Sequence, residues 1–318
     1  MDFYKKNTTD LLYNASLPPS SGYSSSIRNV GEIENKGFEF ELSYRNLEGA
    51  IRWNTSLNMS FNRGKVVDLG TDNNGNTIKR IDSPIGGGNW FPLWLNEAPS
   101  QLYGFVIEGI YQSDAEAAIE PGKKAGDYKI KDLKPDGVIN GDDQTLLSHL
   151  EPKFVFGMNN EISYKNFDLS FLIVGSYGND IVNEFNKYYT ALGGKWNVTK
   201  EAWNNRWTGP GSQGTYAAAS SNSTSSITFG SPSTLWVEDG SYLRLKDIKL
   251  AYTIPTTVLN RIKIENVTVY VSGSNLITWT NYPHYDPEAS WTSSSVNGWD
   301  RGVYPSAKAV MGGIQVTF

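Results

Sequence analysis

Residues Lys153 to Asn179 constrain the fold of this chain more than any other stretch. Phe154, Phe156, Met158, Ile162 and Tyr164 recur at every second position. Phe167, Leu169, Phe171, Ile173, Gly175 and Tyr177 do so again after the two-residue break Lys165-Asn166. A period of two puts alternate side chains on opposite faces, so each run predicts a strand with one apolar face and the polar break predicts a hairpin turn. Each arm is about ten residues long, whereas soluble strands average about five or six and a tilted strand crossing a bilayer needs about 9 to 11. Arm length therefore points toward a membrane-spanning β-structure.

The same pattern recurs along the chain. Phe38, Phe40, Leu42 and Tyr44 alternate with Glu39, Glu41, Ser43 and Arg45, and Trp53, Thr55, Leu57, Met59 and Phe61 alternate with Asn and Ser. Residues 1 to 12 read as strand followed by a turn-rich loop from Asn14 to Asn35. Three closing strands are predicted over Tyr242 to Ile254, Val267 to Trp279 and Val310 to Phe318. A short helix is predicted over Thr199 to Trp207, with a Ser-rich stretch at 220–226 after it. Breaks between strands alternate in length, short at 46–50, 165–166 and 255–265, long at 13–36, 63–152, 182–235 and 281–308. Outer-membrane barrels have short periplasmic turns and long extracellular loops, which is this pattern. The expected fold is all-β, an antiparallel transmembrane β-barrel segment of about eight spanning strands with long extracellular loops at 63–152 and 182–235. Counting back from a last strand that ends in the periplasm leaves the alternating segment Gln101 to Gln112 inside an external loop.

Composition narrows the function classes. No run approaches the roughly 18 apolar residues of a transmembrane helix, and 39% hydrophobic residues overall exclude a helical membrane protein but not a barrel. A net charge of -5 with a pI near 5.2 argues against nucleic acid as a partner. There is no Cys, and the two His, His149 and His284, cannot supply a multi-His zinc site. Aromatic residues make up 13% of the chain, which fits the interfacial girdles of a barrel and equally a carbohydrate-binding β-protein. Met1 to Lys6 lacks an apolar h-region and a small-residue cleavage site, so no secretory signal is expected within this chain.

Several blocks together resemble the C-terminal region of the SusC/RagA family of TonB-linked outer-membrane proteins. They are Asn29-Val30-Gly31-Glu32-Ile33-Glu34-Asn35-Lys36-Gly37, Leu102-Tyr103-Gly104-Phe105, Tyr164-Lys165-Asn166-Phe167-Asp168, Gly175-Ser176-Tyr177-Gly178-Asn179-Asp180, Trp236-Val237-Glu238-Asp239-Gly240-Ser241-Tyr242-Leu243-Arg244-Leu245-Lys246 and Val271-Ser272-Gly273-Ser274-Asn275-Leu276. The resemblance runs through nearly the whole chain. It implies a barrel of about 22 strands closed by an N-terminal plug. It also implies import of glycans, oligosaccharides or peptides driven by TonB, ExbB and ExbD, and a SusD-like surface lipoprotein as partner. Phe318 resembles the terminal aromatic read by the barrel-assembly machinery. This chain matches no plug and no TonB box, so residues 1–318 are expected to be the C-terminal part of a receptor, as a fragment or a split-gene product. The hairpin would then turn at the periplasmic side, with its odd-numbered apolar residues toward outer-membrane lipid and Asp168 and Ser170 toward the lumen. The rival readings are a secreted carbohydrate-binding β-sandwich and a non-importing structural or secretion barrel.

Candidate site residues fall in the predicted loops. Asp132, Lys134, Asp136, Gly137, Val138, Ile139 and Asp143 occupy positions 1, 3, 5, 6, 7, 8 and 12 of an EF-hand-like loop. Asp132, Asp136 and Asp143, with the Val138 carbonyl, would be the calcium ligands. Lys134 replaces an oxygen ligand with a positive charge, so the spacing predicts either a weakened calcium loop or an acidic turn held by hydrogen bonds. Trp90, Trp94, Trp291 and Trp299 are candidates for stacking on substrate, or for packing at an interface. Pro84 to Asn89 is Gly-rich but lacks the Lys-Ser/Thr of a phosphate loop. Glu39 and Glu41 share one strand face and read as lumen wall rather than as glycosidase acids.

Overall fold

The computed structural model describes residues 1–16, 22, 25–29, 31–46, 48–72, 74–82, 90–99, 101–192, 196–219, 231–259, 264–288, 296 and 298–318. Eight strands form one sheet: β1 (Asp2–Thr8), β2 (Glu32–Asn46), β3 (Ile51–Asp68), β4 (Phe154–Tyr164), β5 (Phe167–Tyr177), β6 (Tyr242–Thr253), β7 (Asn266–Thr280) and β8 (Ala309–Thr317). Each pairs antiparallel with its neighbour in chain order, so the sheet is an up-and-down meander. β1 and β8 form its two edges. The opening hairpin is β4 and β5 with its expected ends. Its turn residue Lys165 adopts φ 53°, and Asn166 is tied to β6 through Nδ2 to the Thr253 carbonyl at 2.7 Å.

Alternation sorts the side chains as the sequence predicts. One face carries Phe38, Phe40, Leu42, Leu57, Met59, Phe61, Leu169, Phe171 and Ile173. The other carries Glu39, Glu41, Asn54, Ser56, Asn58, Asp168 and Ser170 in matching register. The gap in the apolar run at Asn160 has a local solution. Its side chain is 1% exposed, and Asn160 Oδ1 accepts a hydrogen bond from Trp53 Nε1 at 3.1 Å. Aromatics cluster at the two ends of the apolar face. At the end with long connections, Phe3, Phe38, Phe61, Phe154 and Tyr177 form a continuous row with ring centroids 4.6, 5.9, 5.6 and 5.3 Å apart. At the hairpin end lie Tyr44 against Trp53 and Phe167 against Tyr252, at 5.7 and 4.7 Å.

Three features depart from the sequence reading. β2 begins at Glu32 and β3 continues to Asp68, so this pair outruns the apolar stretches. The loop after β1 contains its own small hairpin, Leu12–Ser16 with Ser25–Asn29, because residues outside the wall pair locally to satisfy their amides. The third departure is a bulge at one level of β5, β6 and β7. Ile173 pairs with Leu245 but Leu172 with Asp247, and Leu245 pairs with Ile277 but Asp247 with Ser274. The extra residues Lys246 and Asn275, the latter at φ 53°, shift the apolar parity from Leu243 and Leu245 to Ile248 and Leu250. A bulge re-aims side chains, and here it groups Arg244, Lys246 and Asp247 near the polar face.

The segment Gln101 to Gln112 joins no strand of the large sheet. Tyr103–Phe105 pairs with Gln144–Leu146, and Ile107–Ile110 with Tyr128–Ile130. The predicted short helix is Lys200–Asn204, capped by the Thr199 hydroxyl, which accepts from the Ala202 N–H. The Gly-rich Pro84 to Asn89 turn and the Ser-rich stretch lie outside the described residues. No helix among the described residues is long and apolar enough to cross a membrane, which says nothing of crossing by strands.

The two faces of β5 should tolerate charge differently. Ile173→Arg on the apolar face is expected to destabilise folding in lipid by about 2–4 kcal/mol, and Val174→Arg on the polar face by far less. Denaturant titration of the protein in phospholipid bilayers measures both, and equal losses would refute the face assignment.

Candidate functional site

The long connections converge on one layer at the end of the sheet that carries Phe61 and Tyr177. β3 carries the wall into it, where Val66 is buried with Leu69 and Ile81 against Ile33, Leu93 and Leu95. Above, Asp180–Asn183 pairs antiparallel with Val237–Asp239 and parallel with Trp299–Asp300, so strands from separate connections share one small sheet. That sheet covers an apolar core of Trp90, Phe91, Leu102, Leu150, Val182, Trp236, Val296 and Trp299. Trp90 lies edge-on to Trp236 at 5.1 Å and to Trp299 at 6.1 Å. The Lys187 ammonium sits 5.1 Å from the Trp90 ring.

A charged network fastens this layer to the wall. Arg244 on β6 is 3% exposed and Asp286 in the connection after β7 is 5% exposed. Arg244 donates from Nη2 to Asp286 Oδ1, from Nη1 to Glu288 Oε2, and from Nε to Thr278 Oγ1 at 2.9 Å. Glu288 also accepts from Lys246 Nζ at 2.9 Å and from the Tyr242 hydroxyl at 3.1 Å. Asp286 Oδ2 accepts the Ser306 N–H at 2.9 Å. Burial pushes the Asp286 carboxyl up, but Arg244 and the backbone amides of Ser306 and Glu288 outweigh it and hold it below the usual range. Beside this anchor, Tyr285 and Tyr304 stand 80% and 92% exposed. A second network lies deeper, where the Tyr282 hydroxyl donates to Asp300 Oδ2 at 2.5 Å and His284 Nε2 meets Asn186 Oδ1 at 3.2 Å.

The structure separates the sequence-derived candidates. Trp90 and Trp299 are 7% and 1% exposed and hold the core together, so their rings present no open face to a substrate. Trp94 is half-buried, 5.5 Å from Tyr103, with the Arg80 guanidinium 5.2 Å from its ring. Trp291 lies outside the described residues. Glu39 and Glu41 stand on the polar face among Asn58 and Ser60.

The acidic loop is a hydrogen-bonded turn. Asp143 Oδ1 accepts the N–H groups of Leu133 and Lys134 at 3.0 and 3.2 Å, and Oδ2 accepts that of Asn140 at 2.8 Å. Burial raises the Asp143 carboxyl, but these amides together hold it below its ordinary value. Asp132 Oδ2 accepts the Gly137 N–H at 2.9 Å, Asp136 Oδ1 accepts that of Val138, and Lys134 Nζ pairs with Asp142 at 2.7 Å. Among the described residues no three acidic or His side chains converge as a metal site. The donors of Asp132, Asp136, Val138 and Asp143 therefore do not fit a calcium cage as they stand, and the ammonium of Lys134 occupies position 3.

The sequence model described as TonB dependent receptor-like, beta-barrel matches residues 1–276. The chain belongs to the TonB-dependent receptor β-barrel family, in its SusC/RagA branch. TonB-dependent receptors P26 and P3 of Formosa agariphila are each 32% identical over the whole chain, and the SusC receptor of Bacteroides thetaiotaomicron is 23% identical. The chain spans about a third of the length of these relatives, 32%, 32% and 30%. Among solved structures, the RagAB peptide transporter and the RagAB importer in its open-open state superpose with TM-scores of 0.76 and 0.78 at 23% and 24% identity. Each covers 99% of this chain, which in turn covers 33% and 32% of the matched chains.

Sequence reasoning missed Arg244, Asp286, Glu288 and Trp236. The signal that could have found the network was the parity break at Lys246, which marks a bulge beside two closely spaced carboxylates.

Two outcomes test the site. Arg244→Leu leaves Asp286 buried without its partner, which costs about 3–5 kcal/mol in comparable pairs. Limited proteolysis should then cut within 281–308 much faster than in the parent. Calorimetry at millimolar calcium should give no binding heat for the parent and a measurable heat for Lys134→Asp, which restores the missing oxygen ligand.

Proposed function

We propose that this chain forms part of the wall and the outward-facing loops of a TonB-dependent outer-membrane importer of glycans, oligosaccharides or peptides. The observation that carries the reading is the two-faced sheet with an aromatic row at each end, in a chain of this family. Phe167 and Tyr177 are ten residues apart, about 33 Å along a strand, or roughly 25 Å once a tilt near 40° is applied. That is the height of the apolar band of an outer-membrane barrel. In this reading the apolar face meets lipid, the Asn-, Ser- and Glu-rich face lines a water-filled lumen, and the Lys165-Asn166 turn faces the periplasm. The connections 63–152 and 182–235 are extracellular. The sheet is an arc of about eight strands in a larger closed barrel, because an edge left open in hydrocarbon strands unpaired backbone groups at several kcal/mol each.

A SusD-like surface lipoprotein would cap the loop layer, and TonB with ExbB and ExbD would act through a plug inside the completed barrel. Transport is the activity, with no chemistry assigned to the chain. Trp196, Trp203, Tyr285 and Tyr304 are exposed loop aromatics outside the tryptophan core and would contact cargo or the cap, whereas Trp94 is half-buried. A secreted β-sandwich fits less well, because exposed rows such as Tyr44, Phe167, Leu250 and Val271 would face water.

Uptake decides the reading. Cells lacking the receptor that carries this chain should lose growth on its cargo within panels of oligosaccharides and mixed peptides, and regain it with the intact gene. Tyr285→Ala with Tyr304→Ala should lower uptake about tenfold at limiting cargo without changing receptor abundance. Growth on every cargo without the receptor would refute an importing role.

A further inference from the structure

The apolar face does not end at its upper aromatic row. Two residues beyond Phe3, Phe38 and Phe61, on the same face, stand Lys5, Lys36 and Arg63, which pair with each other across β1, β2 and β3. The next row in that direction is Asn7, Glu34 and Lys65. Lys153 lies beside them, with its ammonium 5.9 Å from the Tyr177 ring at the end of the aromatic row. Lys36, Arg63, Lys65 and Lys153 are all exposed.

These two rows hold four cations against one carboxylate, in a chain whose net charge is -5. Glu34 is shared by Lys5 and Lys36, at 2.7 and 2.6 Å, and so offsets one of the two. Among the described residues no carboxylate forms an ion pair with Arg63, Lys65 or Lys153; Asp180 feels the Lys153 charge from farther off, and Glu151 is engaged by the Gly64 N–H at 3.0 Å. Arg63 donates to the carbonyls of Pro152 and Lys153 at 2.9 and 3.1 Å, which holds its guanidinium at the rim.

The level of the stripe selects its partner. Two residues of strand are about 7 Å, so the cations begin just outside the aromatic belt. They also stop there, since the next residue of that parity on β3 is the uncharged Val67, at which the register with β2 shifts. Lipid headgroups lie at that depth.

We propose that Lys5, Lys36, Arg63, Lys65 and Lys153 form a binding stripe for the phosphate groups of phosphorylated glycolipids in the leaflet around the loop end of the sheet. The inference rests on the membrane orientation given under Proposed function. Bound phosphates would anchor the β1–β3 side of the wall at a fixed depth and hold the lipid boundary beneath the loops.

The test uses the whole receptor in detergent micelles, with bisphosphorylated lipid A and its dephosphorylated form as probes and native mass spectrometry as readout. The parent should prefer the phosphorylated lipid. Each cation near a charged surface contributes about fivefold, so Lys36→Gln, Arg63→Gln and Lys65→Gln combined should weaken it on the order of 100-fold. The charge-keeping set Lys36→Arg, Arg63→Lys and Lys65→Arg should retain binding, which separates lost charge from misfolding. Equal binding of both lipids, or an unchanged neutralised variant, overturns the stripe. Competition by inorganic phosphate at matched ionic strength, at the concentration of the lipid, overturns the lipid as its partner. Orientation is read separately. The chain has no Cys, so Tyr304→Cys provides a unique label within it for an impermeant maleimide on intact cells. Labelling only after permeabilisation overturns the orientation and the stripe together, whereas surface labelling without lipid discrimination overturns the stripe alone.

Discussion

Backbone pairing between neighbouring strands is the constraint on which the rest of this structure depends. Each wall strand between the edges β1 and β8 gives its amides to two neighbours, and the side chains follow from that geometry, one face apolar and one polar. The bulge at Lys246 shows how tightly the rule binds. Where the chain adds a residue to β6 it adds another at Asn275 on β7, and the ladder resumes on both sides. The two-residue step also accounts for one face carrying three successive environments. Leu57 and Met59 lie in the apolar band, Phe61 in an aromatic row and Arg63 and Lys65 in a basic one, all in a single strand.

The wall was legible in the sequence because alternation sustained over ten or more residues is the mark of a long strand with two unlike faces. The hairpin at 154–177 and the closing strands agree with the reading to within a residue or two. Boundaries were missed where strand pairing outlasts the apolar pattern. Just past Asn62, β3 reads Arg63-Gly64-Lys65, which interrupts the hydrophobic alternation, yet it remains paired with Lys36, Asn35 and Glu34. Separating Gln101–Gln112 from the wall depended on counting strands, since its own alternation resembles a wall strand.

The loop layer was far less legible, for a physical reason. Its core is assembled from residues well over a hundred positions apart, and nothing local distinguishes a tryptophan that packs from one that binds. Trp90 and Trp299 looked like loop aromatics and are buried side by side. Trp236, within a run read mainly as a family motif, lies edge-on to Trp90 in the same core. The acidic stretch around Asp143 has the spacing of a cation loop, but spacing does not reveal that Asp143 is occupied by three backbone amides. Arg244 lay inside a correctly predicted strand, within a run that was read only for its family resemblance. Its partners come from a connection that no strand pattern links to it.

That shared core makes three of the four long connections one inherited object. Leu102 and Leu150 come from the first, Val182 and Trp236 from the second, and Val296 and Trp299 from the third. Exchanging a single connection would leave a half-filled interior and, for the third, Asp180–Asn183 without its parallel partner Trp299–Asp300. Such receptors should therefore diversify either by coordinated replacement of all three segments or through the exposed tips, where Tyr285 and Tyr304 vary at little expense to the interior.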